Sequence, residues 1–271
     1  MNAQPKHPFA AAPDDPHLDA APLVRVLCQV QWPEQTVLST SFVDIADELG
    51  IAISADYPIG TSPQAVSFEF DLSGQVRQKP APPSRQWSSV DEAWWVYFTP
   101  VFVTLENRGA YTTRDDMLSR FANIVGEIER LAQLTVAQRV GWRYVNRLDQ
   151  PSDLDNIEDL VEPTVLGARA IISPSDDVAL QQSFSDSLFS APAGNLIAKW
   201  GFLPANTTHD PSVPPATTQS WILDLDAFGD GRVAFESTTL MGRLQDLSDL
   251  AYNFFRWAVK PSFLSKFGSK E

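Results

Sequence analysis

Arginines recur at every fourth position along one short stretch of an otherwise acidic chain. The stretch is residues 139 to 149, Arg-Val-Gly-Trp-Arg-Tyr-Val-Asn-Arg-Leu-Asp. Its alternating pattern predicts a β-strand, with Arg139, Arg143 and Arg147 on one face and Trp142 on the apolar, core-facing side. A guanidinium is a planar fork of donors that matches carboxylates and phosphates. The fold must therefore supply this strand with anionic partners, from the chain itself or from outside it.

An internal source of anions is the stretch from 221 to 228, Trp-Ile-Leu-Asp-Leu-Asp-Ala-Phe. This stretch also predicts a strand, and Asp224 and Asp226 share one of its faces. If the two strands are neighbours, Arg143 and Arg147 can meet these carboxylates in cross-strand pairs, each stabilising by about 0.2 to 1 kcal/mol. On this interpretation the arginine row is structural.

The alternative is an external anion, such as a phosphate, a nucleotide or an acidic peptide. Arg139, Arg143 and Arg147 would then form the cradle, and Tyr144 or Asn146 would orient the ligand. The protein would be a sensor or an enzyme for a small anion. The two interpretations differ in whether carboxylates close the arginine face or leave it open as a pocket.

Composition excludes several classes of protein. The formal net charge of -14 argues against a general nucleic-acid surface, which needs an excess of Lys and Arg. The negative charge favours basic partners. A protein that mimics nucleic acid with its acidic side chains is also compatible with this charge, although the acidic residues have no regular spacing. The lone cysteine, Cys28, fits a reducing compartment. No apolar run is long enough to span a membrane, so a cytoplasmic protein is expected.

The order of predicted elements indicates an α+β protein with an internal duplication. A strand, a short helix, antiparallel strands and a long amphipathic helix occur in this order twice, which predicts antiparallel sheets packed by two long helices. The predicted divisions are a disordered arm over 1–21, a first repeat over 22–135, a second over 136–267 and a tail over 268–271.

Individual elements follow from local signals. Thr113, with Asp116 three residues later, predicts the start of the first long helix, and a further helix is predicted over 41–49. A strand is predicted over 168–172. Asp230-Gly231 predicts a tight turn that joins residues 221–228 to 232–236 as a hairpin.

The chain resembles a family of uncharacterised proteins found sporadically in bacteria and archaea. The resemblance covers residues 22 to about 267 and rests on Arg-x-Gly-hydrophobic-Arg-Tyr-hydrophobic-Asn, which residues 139–146 match, with Gln-Val-Gln-Trp-Pro, Leu-Asp-Leu-Asp and a closing aromatic helix in the same order. Arg147 stands where the family often has an apolar residue. The resemblance implies no particular reaction, but the patchy distribution implies mobile or defence-linked genes.

Residues for familiar catalytic chemistry are scarce. The histidines are His7, His17 and His209, none of them near Cys28 in sequence, and no phosphate-binding glycine loop or nucleophile elbow occurs. No catalytic residue, metal site or cofactor is therefore predicted, and an enzyme is the less favoured class. The carboxylates that could hold Mg²⁺ are Asp224, Asp226 and Glu236, for which a solvated or salt-bridged face is the simpler interpretation.

Aromatic residues crowd one predicted hairpin. Trp87, Trp94, Trp95 and Tyr97 lie close together in sequence, and Trp94 and Trp95 must face opposite sides of a strand. Trp257 widens the apolar face of the last helix. Tryptophan and tyrosine anchor many protein interfaces, so these five are candidate partner-surface residues, with a helix-covered sheet or a second protomer as the structural alternative.

The favoured function is a non-enzymatic protein-binding or regulatory module with a protein partner or a second copy of itself. Such a module could be a subunit of a bacterial defence or toxin-control system. The sensor or enzyme for an anion and the acidic mimic are the alternatives.

Overall fold

The computed structural model describes residues 5–12, 18–62, 66–70, 76–80, 83–172 and 178–268, with the backbone alone for 66–70 and 76–80. Within these ranges, no helix is both long enough and apolar enough to cross a membrane.

Strands of the described residues form an antiparallel sheet and a separate hairpin. The strands are β1 (Leu23–Gln31), β2 (Ile59–Thr61), β3 (Val66–Phe70), β4 (Val76–Pro80), β5 (Arg85–Ser88), β6 (Trp94–Phe98), β7 (Phe102–Asn107), β8 (Val136–Leu148), β9 (Ser183–Ala191), β10 (Gly194–Leu203) and β11 (Ser220–Ala234). The sheet has nine strands in the order β2-β5-β6-β7-β1-β8-β11-β10-β9, and β3 pairs with β4. The α+β class predicted from the sequence is confirmed.

The helices lie between strands along the chain, except for the last two, which follow the last strand. They are α1 (Thr36–Ala52), α2 (Arg114–Ala132), α3 (Pro151–Asp155), α4 (Ile157–Leu160), a 3₁₀ helix (Pro163–Ile171), α5 (Ser237–Ala258) and α6 (Pro261–Phe267). The start of α2 is as predicted, because the Thr113 side chain accepts a hydrogen bond of 3.1 Å from the Asp116 amide. Helix α1 begins five residues before the predicted start at Ser41, which has non-helical backbone angles, and continues past Gly50.

The chain divides into two compact units, each assembled from separated segments. One unit is 27–140 with 230–242. In it, α1 and α2 lie on one face of the sheet: Phe42 of α1 stacks on Phe98 at 5.2 Å, and Arg120 of α2 lies 4.6 Å above the Trp94 ring. The unit has a helix-covered sheet face on which Trp94, Val96 and Phe98 are buried.

The other unit is 1–26 with 141–229 and 243–271. Its α5 segment packs on strands, since the Phe254 ring lies 6.1 Å from that of Trp200 and the Tyr144 hydroxyl shares a 2.8 Å hydrogen bond with Ser248. On the arginine side of β8, a small core joins four buried residues: Val145, Leu203, Val213 and Ile222. Both faces of β8 are therefore covered in this unit, although the sequence predicted one core face.

Two element predictions are wrong. Residues 220–234 form one continuous strand, β11, where a hairpin turning at Asp230-Gly231 was predicted. Gly231 has φ of +120°, which glycine adopts readily, and the strand continues through it. Residues 168–172, predicted as a strand, lie mostly in the 3₁₀ helix, which has Pro163 in its first turn and is interrupted at Gly167, where φ is +57°.

Part of the segment predicted to be a disordered arm contacts the body of its unit. The Phe9 ring meets Phe189 edge-on at 5.3 Å, and the Ala12 amide donates to the Asn253 side chain at 2.9 Å. The Ala20 amide donates to the Phe267 carbonyl at 3.0 Å. Residues 13–17, including His17, lie outside the described residues.

Candidate functional site

Arg143 and Asp224 form the centre of the candidate site. Arg143 lies on β8 and Asp224 on the neighbouring strand β11. The guanidinium donates Nε to Oδ1 at 2.7 Å and Nη2 to Oδ2 at 2.5 Å, which is the two-pronged geometry of a strong arginine–carboxylate pair. The Arg143 side chain is 13% exposed and that of Asp224 is 2% exposed.

The loop between β10 and β11, residues 204–219, completes the cluster. It brings a second carboxylate, because Arg143 Nη2 also donates to Asp210 Oδ2 at 2.7 Å. It also brings His209, whose Nε2 lies 2.6 Å from Asp224 Oδ2 while its ring packs at 5.3 Å from Phe184. The cluster thus consists of one guanidinium, two carboxylates and one imidazole.

Charges within the cluster determine its protonation. Burial alone would raise the pKa of Asp224, but hydrogen bonds from Arg143 and His209 and the positive charge of Arg143 hold that pKa below its ordinary value. Burial opposes a low pKa for Asp210 as well, and the Ser212 amide and Arg143 overcome it. Burial works against the charged form of Arg143, yet the two carboxylates raise its pKa above the ordinary value. All three groups are therefore ionised at neutral pH.

The remaining arginines of the predicted row have separate contacts. Arg147 donates Nη1 to the Pro214 carbonyl at 2.7 Å and has its Nε 3.6 Å from Asp149. Arg139 has its Nε 3.7 Å from Asp230. The three arginines contact different groups and do not converge on one point.

Tyr144 and Asn146 point away from the arginine side of β8. The Tyr144 hydroxyl contacts Ser248 of α5, and Asn146 Nδ2 lies 3.5 Å from the Leu223 carbonyl, both in buried surroundings. Neither side chain can orient a ligand on Arg143. Asp226, the second predicted carboxylate, lies opposite Ile197 in the β10–β11 register.

The aromatic hairpin divides between the two faces of the sheet. Trp87 and Trp94 are each only 7% exposed and lie on the face that carries the helices. Trp95 and Tyr97 alternate with Trp94 on β6 and lie on the opposite face, where both are half-buried. Trp257, in the other unit, is half-buried and packs edge-on against Phe254 at 5.3 Å.

Trp95 and Tyr97 are held in one arrangement by Arg108. Their rings are stacked at 6.3 Å with planes 21° apart, and the Arg108 guanidinium lies 4.6 Å above the Trp95 ring. Arg108 also donates to the Tyr97 hydroxyl at 2.5 Å and to the buried Glu106 at 2.7 Å. The Trp95 indole donates to the Glu92 carbonyl at 2.7 Å. We call Trp95, Tyr97 and Arg108 the aromatic sheet face.

Sequence reasoning missed His209, Asp210 and Arg108 as members of these clusters. His209 and Asp210 are adjacent in a polar loop, and no periodic pattern relates a loop residue to a strand 67 residues away. Arg108 follows the end of β7, and a signal for it would have been its position two residues after Glu106, which lies opposite Trp95, so that Arg108 and Trp95 share a face. Among the described residues, no three His, Cys, Asp or Glu side chains lie together in a way that could hold a metal ion.

Comparison with known proteins adds no assignment, because the chain matches no protein-family model and no curated protein is significantly similar to it.

Proposed function

We propose that this protein is a non-enzymatic protein-binding module that uses the aromatic sheet face as its contact surface. The observation that carries the proposal is the stack of Trp95, Tyr97 and Arg108 on the face of β6 away from α1 and α2. Tryptophan, tyrosine and arginine are the residue types that dominate binding hot spots. Their side chains are already ordered, so little of their conformational freedom is lost when a partner binds.

The surroundings of the aromatic sheet face also suit a partner. Gln29 donates to Thr104 at 2.8 Å and accepts from Gln31 at 2.5 Å, which places ordered amides on neighbouring β1. Gln86 lies opposite Tyr97 on β5 and is half-buried. Aromatic anchors with a polar rim are the usual anatomy of an interface.

The contacts of the arginines on β8 favour a structural role for them over binding of an external anion. Arg143 uses its Nε and Nη2 donors on Asp224 and Asp210, which occupy the positions on this edge of the guanidinium that a phosphate or carboxylate ligand would need. An external anion would have to displace two carboxylates from a largely buried guanidinium. The sensor and enzyme alternatives therefore lack a supporting observation at this strand.

Sequence features bear on the kind of partner and on the cellular role. The net charge of -14 favours a basic partner and accelerates its encounter. The resemblance to a sporadically distributed family supports a regulatory role in a bacterial defence or toxin-control system in the cytoplasm. The repeated order of strands and long helices, α2 in one half and α5 in the other, supports an internal duplication.

The experiment is a comparison of tagged variants expressed in the native cell. A stoichiometric protein should co-purify with the wild type, be lost with Trp95→Ala and Tyr97→Ala, and remain with Trp257→Ala as the matched control. A photo-reactive amino acid at Gln86 should cross-link that protein, whereas the same group at Ile171, which is 85% exposed in the other unit, should not. The proposal fails if no protein co-purifies, or if the variants with intact melting curves retain the partner equally.

A further inference from the structure

A groove lies between the C-terminal half of α1 and the edge strand β2. Its volume is about 470 Å³, and it is open on one side. Asp47 and Ile51 of α1 form one wall, Gly60 of β2 lies on the other, and Arg85 and Trp87 of β5 also line it. We call it the β2 groove. It is separate from the aromatic sheet face, because Trp87 lies on the helix-covered side of the sheet.

Two glycines make the groove. A Cβ atom on Gly50 would lie 2.7 Å from Trp87 Nε1, and one on Gly60 would lie 3.3 Å from Trp87 Cδ1. With no side chain at either position, both backbones pack against the Trp87 indole, and the small part of it that stays exposed lies at the floor of the groove. A glycine inside a strand often marks a place where a ligand or another backbone approaches closely.

The strand beside the groove has an edge that can pair. β2 is the last strand of the sheet and hydrogen-bonds to β5 alone among the described strands. All three of its residues, Ile59 to Thr61, are exposed. An unpaired edge is a template for an added strand, and extended peptides bind many domains in this way, with main-chain bonds along the edge and side chains in an adjacent groove.

Charge and hydrophobicity indicate which peptide would fit. Asp44 and Asp47 lie one turn apart on the exposed stripe of α1, and Arg85, 3.6 Å from Asp47, is the one basic side chain among the described residues that line the groove. Asp47 is 63% exposed, so solvent weakens its pair with Arg85 and a basic group of a partner can compete for the carboxylate. Ile51, which follows on the same stripe, is 75% exposed and offers an apolar contact.

We propose that the β2 groove binds an extended segment of a partner protein that carries lysine or arginine at two alternate positions and an apolar residue at the next alternate position, so that all three side chains face α1. The segment adds a strand to β2, places basic groups against Asp44 and Asp47, and places an apolar side chain against Ile51 and the Trp87 floor. This second interaction surface goes beyond the proposed function and does not depend on Trp95 or Tyr97.

The test uses a displayed library of random peptides of about nine residues, selected on the intact protein at about 0.15 M salt to screen non-specific attraction. Selected peptides should be rich in lysine or arginine at alternate positions. Asp47→Lys should weaken their binding at least about tenfold, whereas Glu48→Lys, an equal change of charge on an exposed neighbour outside the groove, should change it less than about twofold. Ile51→Ala and Val43→Ala form the matched apolar pair.

Two further measurements test strand addition. A bound peptide should slow hydrogen exchange of the amides of residues 59–61, and methylation of alternate backbone nitrogens of the peptide should abolish binding. The proposal is overturned if no peptide is enriched, if enriched peptides are neutral or acidic, or if Asp47→Lys and Glu48→Lys weaken binding equally. Unchanged exchange at β2 also overturns it. Trp95→Ala should leave peptide binding intact, which separates this result from the test of the aromatic sheet face.

Discussion

Arg143 and Asp224 lie 81 residues apart in the chain and join two neighbouring strands by a pair of parallel hydrogen bonds. Because Asp224 is almost fully buried, its charge depends on this contact. The same guanidinium holds Asp210, so one side chain fixes both the β8–β11 pair and the loop of residues 204–219.

Replacing Arg143 should lower the free energy of unfolding more than removing an exposed ion pair does. Arg143→Ala leaves the Asp224 carboxylate buried without its guanidinium partner, and we expect the free energy of unfolding to fall by about 3 to 5 kcal/mol. Arg130→Ala, which removes a pair with Glu127 from a side chain that is 60% exposed, should cost only about 0.3 to 0.5 kcal/mol. Urea denaturation measures both, and a loss below about 1 kcal/mol for Arg143→Ala would contradict the structural role.

Acid should destabilise the protein through Asp210 and Asp224. Both have a pKa below the ordinary 3.8 in the folded chain, where Arg143 offsets the effect of burial. Below about pH 4 the unfolded chain binds protons while the folded cluster remains ionised, so the free energy of unfolding falls as the pH falls. Above about pH 5 both states are ionised and these two groups add no pH dependence.

The variant Asp210→Asn measures this contribution. Its free energy of unfolding should fall less steeply than that of the wild type between about pH 4 and pH 3, as followed by urea denaturation at each pH. Asp246→Asn removes a carboxylate that is 59% exposed and serves as the control. If the free energy of unfolding falls with pH equally steeply in the wild type and in Asp210→Asn, Asp210 does not have the lowered pKa that gives it this role.

Two glycine-to-alanine substitutions should change the stability of the protein in opposite directions. Gly201 has φ of +145°, and a Cβ there would lie 1.9 Å from the Ser183 carbonyl oxygen on β9, so Gly201→Ala should destabilise by at least about 2 kcal/mol. Gly126 lies in α2, and a Cβ there would have no described atom within 4 Å outside its own helix, so Gly126→Ala should stabilise by about 0.5 to 1 kcal/mol. Thermal and urea unfolding report both, and a stabilising Gly201→Ala would mean that β9 does not approach β10 this closely.

Cys28 should be unreactive in the folded protein. Burial raises the pKa of its thiol well above the ordinary value, and the thiolate is the reactive form. A thiol reagent such as Ellman's should label the protein only as fast as it unfolds, and it should label one group per chain promptly in urea. Rapid labelling in native buffer would show that β1 opens locally.

Local sequence patterns were sufficient to predict several helices and strands. The start of α2 follows from Thr113 and Asp116, because an N-cap hydrogen bond involves residues three apart and needs no tertiary contact. The pairing of Arg143 with Asp224 was one of two interpretations open from the sequence, since period-two patterns assign side chains to faces without deciding which strands are neighbours.

What the sequence by itself determined is therefore local: the α+β class, the arginine row, and the opposite orientation of Trp94 and Trp95, which follow from the periods of strand and helix. Only the tertiary structure decided that Trp94 lies beneath Arg120 while Trp95 lies under Arg108 on the other face. It also brought His209 and Asp210 to Arg143 and continued β11 through Gly231. These outcomes depend on contacts between residues far apart in the chain, whose free energies no local pattern contains.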